Sequence, residues 1–329
     1  MHLAIIGGGS WGTALAIVLA PRSESITLWA HEADLAGRMG HSRVNDIFLP
    51  GFQLPANVQI VSGNLGNALG GADIVLGVMP SHHARGIYTA MLPHLTPSTI
   101  LVSATKGLEQ GSLLRMSEVL GQVVQTSRIA VLSGPTFARE VAAGNPTAVA
   151  VASSAPEVAQ CVQEAFSGPT FRLYTNADPV AVEVGAALKN VIAIGAGICE
   201  GLGLGHNPTA ALITRGLAEI TRLAMAMGGQ AKTMAGLAGL GDLVLTCNGE
   251  LSRNRYVGKE LGSGRPLGEI LGSMRMVAEG VETCASAVAL GEKFSVDLPI
   301  VQQMHAVLNA GKSPREAVRD LMDRSLKGE

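Results

Sequence analysis

The feature that most constrains the fold of this 329-residue chain is a glycine pattern directly after a short apolar run. Leu3 to Ile6 is long enough for one buried strand, and Gly7, Gly9 and Gly12 follow with G-x-G-x-x-G spacing before a helical segment. The first glycine allows a tight turn, the second lets a pyrophosphate approach the backbone, and the third lets helix pack on strand. The N–H groups and dipole of the new helix then attract phosphate. The alternative is a glycine-rich turn without a ligand, but the position after the first strand favours dinucleotide binding.

The first half of the chain alternates apolar, β-rich runs with helical segments. Several of these runs have apolar residues at successive positions, which is typical of strands covered on both faces. This alternation predicts an α/β domain with a Rossmann-like, doubly wound sheet. The predicted strands are 3–6, 26–29, 58–61, 74–79, 99–103, 129–132, 147–152 and 171–174.

Strand patterns stop near residue 178. Asp178 and Pro179 are typical of N-cap and N1 positions and open a helix to about Glu200, and Asn207-Pro208 opens a second helix. Shorter helical patterns continue to the end. The sequence therefore predicts a dinucleotide-binding domain over 1–176 and an all-helical substrate or catalytic domain over 177–329.

Charge and cysteine content narrow the class of protein. The formal net charge is −2, which gives no electrostatic case for nucleic acid or an anionic membrane as a partner. No long apolar stretch predicts a membrane span, and a strand at residue 3 leaves no room for a signal peptide, so we expect a cytoplasmic protein. The four cysteines lack metal-ligand spacing and are expected to be reduced thiols; they are Cys161, Cys199, Cys247 and Cys284.

Lys189 is the most informative residue of the second half. It shares a predicted helix face with small or apolar residues at spacings of three and four: Val182, Ala186, Ala193 and Gly197. Such a lysine either extends to the surface or lies in a cavity. Desolvation in a cleft would lower its pKa and make it an acid or base near neutral pH.

Asp242 and the segment 252–254 are further polar candidates. Asp242 lies in an apolar, glycine-rich setting, where it either caps the following helix or holds a lysine or substrate hydroxyl. Ser252, Arg253 and Asn254 combine a hydroxyl, a guanidinium and an amide, which suits phosphate recognition. The alternative is an ordinary helix start with Ser252 as N-cap.

Two loops follow strands at the sheet edge where ligands usually bind. Lys106 in the first loop offers a cation, and Gly134 and Thr136 in the second offer a backbone N–H and a hydroxyl. A role in stabilising the turn explains the second loop equally well.

Taken together, these segments resemble the bacterial NAD(P)-dependent glycerol-3-phosphate dehydrogenases over nearly the whole chain. The order of the Leu-Lys-Asn, Gly-Leu-Gly-Asp and Ser-Arg-Asn elements is far more specific than the glycine pattern. The matching segments are 7–14, 48–50, 80–81, 105–107, 134–138, 188–190, 236–242, 252–254 and 279–280.

The resemblance implies reversible NAD(P)H-dependent reduction of dihydroxyacetone phosphate to sn-glycerol 3-phosphate, the backbone for glycerophospholipid synthesis. It implies that Lys189 is the proton acceptor during oxidation, oriented by Asp242 and Asn190. The implied substrate-binding residues are Lys106, Gly134, Thr136, Asp242, Thr246, Ser252, Arg253 and Asn254. The implied coenzyme-binding residues are Gly7, Gly9, Ser10, Trp11, Gly12, His31, Phe48, Lys106, Ala138, Arg253, Val277 and Glu279.

The resemblance also implies a second domain similar to that of 6-phosphogluconate dehydrogenase relatives, a homodimer, and no metal. Two alternatives fit part of the sequence. Another lysine-dependent dehydrogenase acting on a β-hydroxy acid would use Lys189 but has no use for a phosphate-binding segment. A non-catalytic NAD(H)-sensing protein would need a DNA-binding or partner module, and the near-neutral charge speaks against one.

The coenzyme preference depends on the end of the second strand. NAD-specific sites usually place an acid there for the ribose 2′-hydroxyl. Here the strand ends in Trp29-Ala30-His31, and Glu32 comes one or two residues later, where it binds the ribose or simply caps a helix. We therefore expect NADPH to be accepted at least as well as NADH.

Overall fold

A computed structural model describes residues 1–274 and 276–325. The chain forms two compact units, Met1–Glu183 and Val184–Glu329. The division falls inside a long helix, and the domain boundary suggested after residue 176 stays a prediction.

Unit 1 is built on an eight-stranded sheet with the order β10-β9-β8-β7-β6-β1-β2-β5. All neighbours are parallel except β8 and β9, which are antiparallel. The eight predicted strands are confirmed, although β6 ends at Gly77, two residues before the predicted end, and the short antiparallel pair β3–β4 is an addition. The strands are β1 His2–Ile6, β2 Ser25–Trp29, β3 Val44–Asn45, β4 Leu49–Gln53, β5 Val58–Val61, β6 Ile74–Gly77, β7 Ile100–Ser103, β8 Ile129–Ser133, β9 Thr147–Ala152 and β10 Phe171–Asn176.

Helices cover both faces of this sheet, as the continuous apolar strands predict. One buried cluster joins one sheet face to α1, α2, α6 and α7, and a second joins the other face to α3, α4 and α5. The strand order reverses between β1 and β6, and ligands of open α/β sheets bind beside that point. The helices are α1 Ser10–Leu19, α2 Ala33–Ser42, α3 Gly66–Leu69, α4 Ser81–Met91, α5 Met116–Val124, α6 Ala138–Ala142 and α7 Pro156–Phe166, with short 3₁₀ turns at Ala20–Arg22 and Leu92–His94.

Unit 2 is helical throughout its described residues. The helix α8 begins in unit 1 and continues into unit 2, and a π-helical turn, Leu237–Gly241, precedes α11. The helices are α8 Pro179–Gly201, α9 His206–Ala226, α10 Ala231–Met234, α11 Asp242–Asn248, α12 Arg253–Gly262, α13 Leu267–Gly272, α14 Glu279–Lys293, α15 Pro299–Asn309 and α16 Pro314–Met322.

The two predicted helix starts have different outcomes. Asp178 caps α8 as expected, since its Oδ1 accepts a hydrogen bond from the N–H of Ala181 at 3.0 Å. The start at Asn207-Pro208 is wrong by two residues, because Gly205, at φ +80°, is the N-cap and α9 begins at His206. Pro208 is tolerated inside this first turn, where N–H groups have no intrahelical partner.

Among the described residues, α8 is the one helix long and apolar enough to cross a membrane. Its most apolar stretch is completely buried inside the protein. This helix therefore belongs to the protein core.

Candidate active site

The glycine loop of unit 1 has the geometry that a dinucleotide requires. Gly7 has φ +131°, and a Cβ on it would lie 2.5 Å from the carbonyl oxygen of Val78. A Cβ on Gly12 would lie 1.9 Å from the Gly7 oxygen, whereas a Cβ on Gly9 would meet nothing within 4 Å. The turn and the packing therefore exclude side chains at Gly7 and Gly12, and open space remains before the backbone of Gly9. Because α1 begins directly after Gly9, its positive end faces that space, and the loop fits a pyrophosphate.

Asn45 braces this loop, although no sequence pattern indicated it. Its buried amide donates to the carbonyl of Gly8 and to Oγ1 of Thr13, both at 2.8 Å, and its Oδ1 accepts from the N–H of Phe48 at 3.0 Å. Ser10 Oγ donates to the Phe48 carbonyl at 2.7 Å. Two of the predicted coenzyme residues, Ser10 and Phe48, are therefore held together beside the glycine loop.

Trp11 and the end of β2 complete the predicted coenzyme side of unit 1. The indole Nε1 of Trp11 is buried without a hydrogen-bond partner among the described residues. Gly8 packs against Ala30, and His31 follows with an exposed ring 5.8 Å from that of Trp29. Glu32 occupies the N-cap position of α2, but its side chain makes no capping hydrogen bond. The expectation that Glu32 caps a helix is therefore confirmed by its position, while its carboxylate takes no part in the cap.

The two loops after β7 and β8 contact one another. Lys106 Nζ donates to Thr136 Oγ1 at 3.3 Å, and Thr136 Oγ1 donates to the Gly134 carbonyl at 3.1 Å. Gly134 has φ +154° and packs against the backbone of Val149. Ala138 is the first residue of α6, directly after this loop. A cation, a hydroxyl and a backbone turn thus converge at the carboxyl edge of the sheet.

In unit 2, the ammonium of Lys189 contacts the Oδ1 carboxylate oxygen of Asp242. Both residues are buried, with relative exposures of 4% and 1%. The two charges compensate one another, because an unpaired charge at such a depth is strongly unfavourable. Lys189 therefore does not extend to the surface, and its side chain is buried. Asp242 holds a lysine and does not cap α11, whose N-cap position belongs to Gly241.

Thr246 and Cys247 lie beside this pair on α11. Thr246 Oγ1 donates to the Asp242 carbonyl at 2.6 Å and approaches its Oδ1 at 3.5 Å. Burial raises the pKa of Cys247 to about 12, although the nearby Lys189 opposes this shift. Cys247 is therefore a neutral thiol near pH 7.

The segment 252–254 begins α12. Ser252 Oγ accepts a hydrogen bond from the N–H of Arg255 at 3.2 Å, so the predicted N-cap is confirmed. Arg253 is exposed, and one of its N–H groups donates to the Val277 carbonyl at 2.7 Å. A guanidinium has five N–H donors, so Arg253 keeps donors for a phosphate while bound to Val277.

Asn190, Asn254 and Glu279 form a polar chain next to these residues. Asn254 Nδ2 donates to Asn190 Oδ1 at 3.0 Å, and Asn190 Nδ2 donates to Glu279 Oε2 at 3.4 Å. Asn254 Oδ1 accepts from the N–H of Gly280 at 2.9 Å. The structure thus brings together Asn190, Asn254 and Glu279 within unit 2, while Val277 contacts Arg253.

Glycines let α8 and α12 approach one another at backbone distance. A Cβ on Gly197 would lie 2.0 Å from the Arg255 carbonyl oxygen, and one on Gly258 would lie 1.9 Å from that of Ile194. Gly201 and Gly262 make equivalent close contacts one turn later. Of these glycines, only Gly197 was noted from the sequence. The G-x-x-x-G spacing at 197–201 and 258–262 could have indicated that two helices pack closely there.

Among residues 1–274 and 276–325, no group of three or more His, Cys, Asp or Glu side chains is placed to hold a metal ion.

Comparison with known families matches both halves of the chain. The family model described as NAD-dependent glycerol-3-phosphate dehydrogenase N-terminus matches residues 2–159. The model described as NAD-dependent glycerol-3-phosphate dehydrogenase C-terminus matches residues 178–319.

Individual proteins agree with this result. The chain is 58% identical to a glycerol-3-phosphate dehydrogenase [NAD(P)+] of Koribacter versatilis, over 98% of this chain and 97% of the relative. It is 52% identical to the Geobacter sulfurreducens protein of the same name, over 100% and 98%. The crystal structure of glycerol-3-phosphate dehydrogenase from Coxiella burnetii superposes with a TM-score of 0.94 at 39% identity, covering 98% of this chain and 99% of that one. The chain therefore belongs to the NAD-dependent glycerol-3-phosphate dehydrogenase family.

Proposed function

We propose that this protein catalyses the reversible NAD(P)H-dependent reduction of dihydroxyacetone phosphate to sn-glycerol 3-phosphate. The observation that carries the proposal is the buried Lys189–Asp242 pair, in a chain whose glycine loop fits a dinucleotide. Bound NAD(P)H supplies a hydride to the C2 carbonyl carbon, and a proton must then reach the C2 oxygen. Lys189 is the group assigned to that proton transfer.

Lys189 acts as a positioned acid and base. In the reducing direction its ammonium donates a proton to the C2 oxygen, and in the oxidising direction its amine accepts the C2 hydroxyl proton. Asp242 orients the Lys189 side chain and stabilises its charged form. Thr246, in contact with Asp242, supports the same carboxylate.

Arg253 is assigned to the substrate phosphate. It is the exposed guanidinium at the start of α12, where the helix dipole also favours an anion. Binding energy from the phosphate holds C2 in place, which is the usual contribution of a remote anchoring group. Lys106, Gly134 and Thr136 are proposed as further substrate contacts because they converge at one edge of the sheet.

The glycine loop, Ser10, Trp11 and Phe48 are assigned to the coenzyme on the basis of the shape and bracing of the loop. His31, Ala138, Val277 and Glu279 are further proposed coenzyme contacts from the family resemblance. We also propose a homodimer in the cytoplasm that supplies glycerophospholipid synthesis, on the same resemblance.

The test is the oxidation of NADPH and NADH, followed at 340 nm with dihydroxyacetone phosphate as substrate. The expected result is turnover that depends on both reactants. A β-hydroxy acid dehydrogenase would instead respond to a β-keto acid, and a sensor protein would bind coenzyme without consuming it. Size-exclusion chromatography with light scattering tests the homodimer separately.

A further inference from the structure

The amides of Asn190 and Asn254 belong to a hydrogen-bond chain with a fixed direction. The Gly280 N–H donates to Asn254, Asn254 donates to Asn190, and Asn190 donates to Glu279. A backbone N–H can only donate, and an ionised carboxylate can only accept. The two ends of this hydrogen-bond chain therefore determine the orientation of both amides, because the oxygen and nitrogen atoms of an amide are told apart by their hydrogen-bond partners.

This hydrogen-bond chain joins α8 to α12 beside Lys189, the proposed acid and base, and Arg253, the proposed phosphate anchor. Asn190 directly follows Lys189 on α8, and Asn254 directly follows Arg253 on α12. Both asparagines are buried, with exposures of 4% and 8%. The Asn190–Asn254 hydrogen bond of 3.0 Å therefore fixes the two helices at the positions next to Lys189 and Arg253.

The surrounding backbone leaves little freedom at this point. A Cβ on Gly280 would lie 2.6 Å from the Asn190 carbonyl oxygen and 2.8 Å from Asn254 Oδ1. Further along α8, the glycine contacts at Gly197 and Gly258 hold the two helices at backbone distance. The glycine contacts thus bring the two helices together at one end, and the Asn190–Asn254 hydrogen bond joins them at the other.

We propose that the Asn190–Asn254 pair is a positioning device that sets the spacing between the acid/base Lys189 and the phosphate anchor Arg253. The proposal rests on the proposed function of these two cations. The spacing selects substrates by the number of carbons between the phosphate and the carbonyl. In dihydroxyacetone phosphate the carbonyl carbon is the second from the phosphate oxygen, and in glyceraldehyde 3-phosphate it is the third.

The first test compares kcat/KM for these two substrates in wild type, Asn254→Ala and Asn254→Asp. Asn254→Asp keeps the side-chain size and the acceptor for Gly280 but cannot donate to Asn190, so it guards against a folding defect. We expect both variants to lose roughly 10- to 100-fold in kcat/KM for dihydroxyacetone phosphate, as misplaced reacting groups do. The loss for glyceraldehyde 3-phosphate is expected to be much smaller, so discrimination falls.

The matched control is Asn248→Ala. Asn248 is an exposed asparagine of α11 whose amide donates to the Val244 carbonyl at 2.9 Å, outside the chain of asparagines. Its replacement should leave the ratio of the two kcat/KM values unchanged.

The second test is a rescue that depends on the direction of the chain. In Asn190→Asp the new carboxylate still accepts from Asn254 but faces the Glu279 carboxylate without a donor between them. Adding Glu279→Gln supplies an amide N–H that can donate to the new carboxylate. We expect kcat/KM of the double variant to be at least tenfold higher than that of Asn190→Asp, after correction for the effect of Glu279→Gln alone.

Failure of the inference is distinct from failure of the proposed function. If wild type does not reduce dihydroxyacetone phosphate, the function itself is wrong. If wild type is active but the Asn254 variants lower kcat/KM equally for both substrates, the pair does not set the spacing. If kcat/KM of the double variant is no higher than that of Asn190→Asp, the direction assigned to the hydrogen-bond chain is wrong.

Discussion

Gly258 of α12 packs directly against the carbonyl of Ile194 in α8, where a Cβ would lie only 1.9 Å from the oxygen. We therefore expect Gly258→Ala to separate the two helices and to destabilise the protein by about 3 kcal/mol, the upper part of the usual range for overpacking. Chemical denaturation followed by circular dichroism measures this change. Catalytic activity should fall with it, because α8 and α12 carry Lys189 and Arg253.

Gly268→Ala provides the control for this prediction. Gly268 lies in α13, and a Cβ there would meet nothing within 4 Å. Its replacement should stabilise the protein by about 0.4–1 kcal/mol, because alanine reduces the entropy of the unfolded chain. Equal effects of the two substitutions would contradict the close helix contact.

The parts of the fold that could be predicted are those encoded in local patterns. Apolar, β-rich runs indicated the eight strands of the main sheet, and several of these strands are apolar at successive positions because both of their faces are covered. The β3–β4 pair was missed because β3 has two residues and β4 contains Pro50 and Gly51, which both disfavour strands. Short pairs of this kind depend on tertiary contacts.

The candidate site was predictable to a different extent in each part. The buried pairing of Lys189 and Asp242 agrees with one of the alternatives that their apolar settings left open. Asn45 was not predictable, because it contacts Gly8 and Thr13 across more than thirty residues of sequence, without a periodic pattern. The close helix crossing needed both glycine pairs, and a single sequence does not state which helices meet.

Lys189→Ala should lower kcat by roughly two to four decades, the usual contribution of a positioned acid or base. Coenzyme binding, measured by fluorescence titration, should survive, because the glycine loop is unchanged. Asp242→Asn should also lower kcat, since it removes the charge that pairs with the buried ammonium. Near-normal turnover of a folded Lys189→Ala protein would show that another group transfers the proton.

Arg253→Lys should raise the KM for dihydroxyacetone phosphate although it preserves the positive charge. Lysine lacks the planar, bidentate donor geometry, and it loses the guanidinium contact to the Val277 carbonyl. A charged hydrogen bond is worth roughly 1.5–3 kcal/mol, which corresponds to about tenfold to over a hundredfold in affinity. Steady-state kinetics with varied substrate provides the measurement. An unchanged KM would restrict Arg253 to bracing the helix and make Lys106 the next candidate.

Glu219 gives unit 2 a predictable dependence on pH. Its buried carboxylate accepts hydrogen bonds from the N–H groups of Ile300 at 2.9 and 3.1 Å and of Val301 at 3.4 Å, and thereby caps α15. Burial nevertheless raises the pKa of Glu219 from 4.5 to about 7. The folded protein therefore holds this proton more tightly than the unfolded chain, and the contribution of Glu219 to stability falls as the pH rises through this interval.

Replacement of Glu219 by glutamine removes this titration and keeps an acceptor for the N–H of Ile300. Relative to Glu219→Gln, wild type should lose about 3 kcal/mol of unfolding free energy between pH 4.5 and pH 7.5. Urea unfolding of both proteins across this range measures the difference. The exposed Glu250→Gln variant serves as a control. A constant difference between wild type and Glu219→Gln would show that the Glu219 carboxyl has an ordinary pKa.

The coenzyme preference should respond to His31. Because no acid occupies the end of β2, we expect NADPH to bind at least as well as NADH, with the exposed His31 imidazole facing the 2′-phosphate as a donor or cation. His31→Asp should weaken NADPH selectively, through repulsion of that phosphate, and His31→Arg should strengthen it. His41→Asp, at the exposed far end of α2, provides a control of equal charge change. Since the Glu32 carboxylate makes no capping hydrogen bond to α2, it is the competing candidate for the ribose of NADH, and Glu32→Gln should weaken NADH binding only in that case. Fluorescence titration of both coenzymes decides between the two residues, and a wild-type preference for NADH above about tenfold, or about 1.4 kcal/mol, would contradict the role assigned to His31.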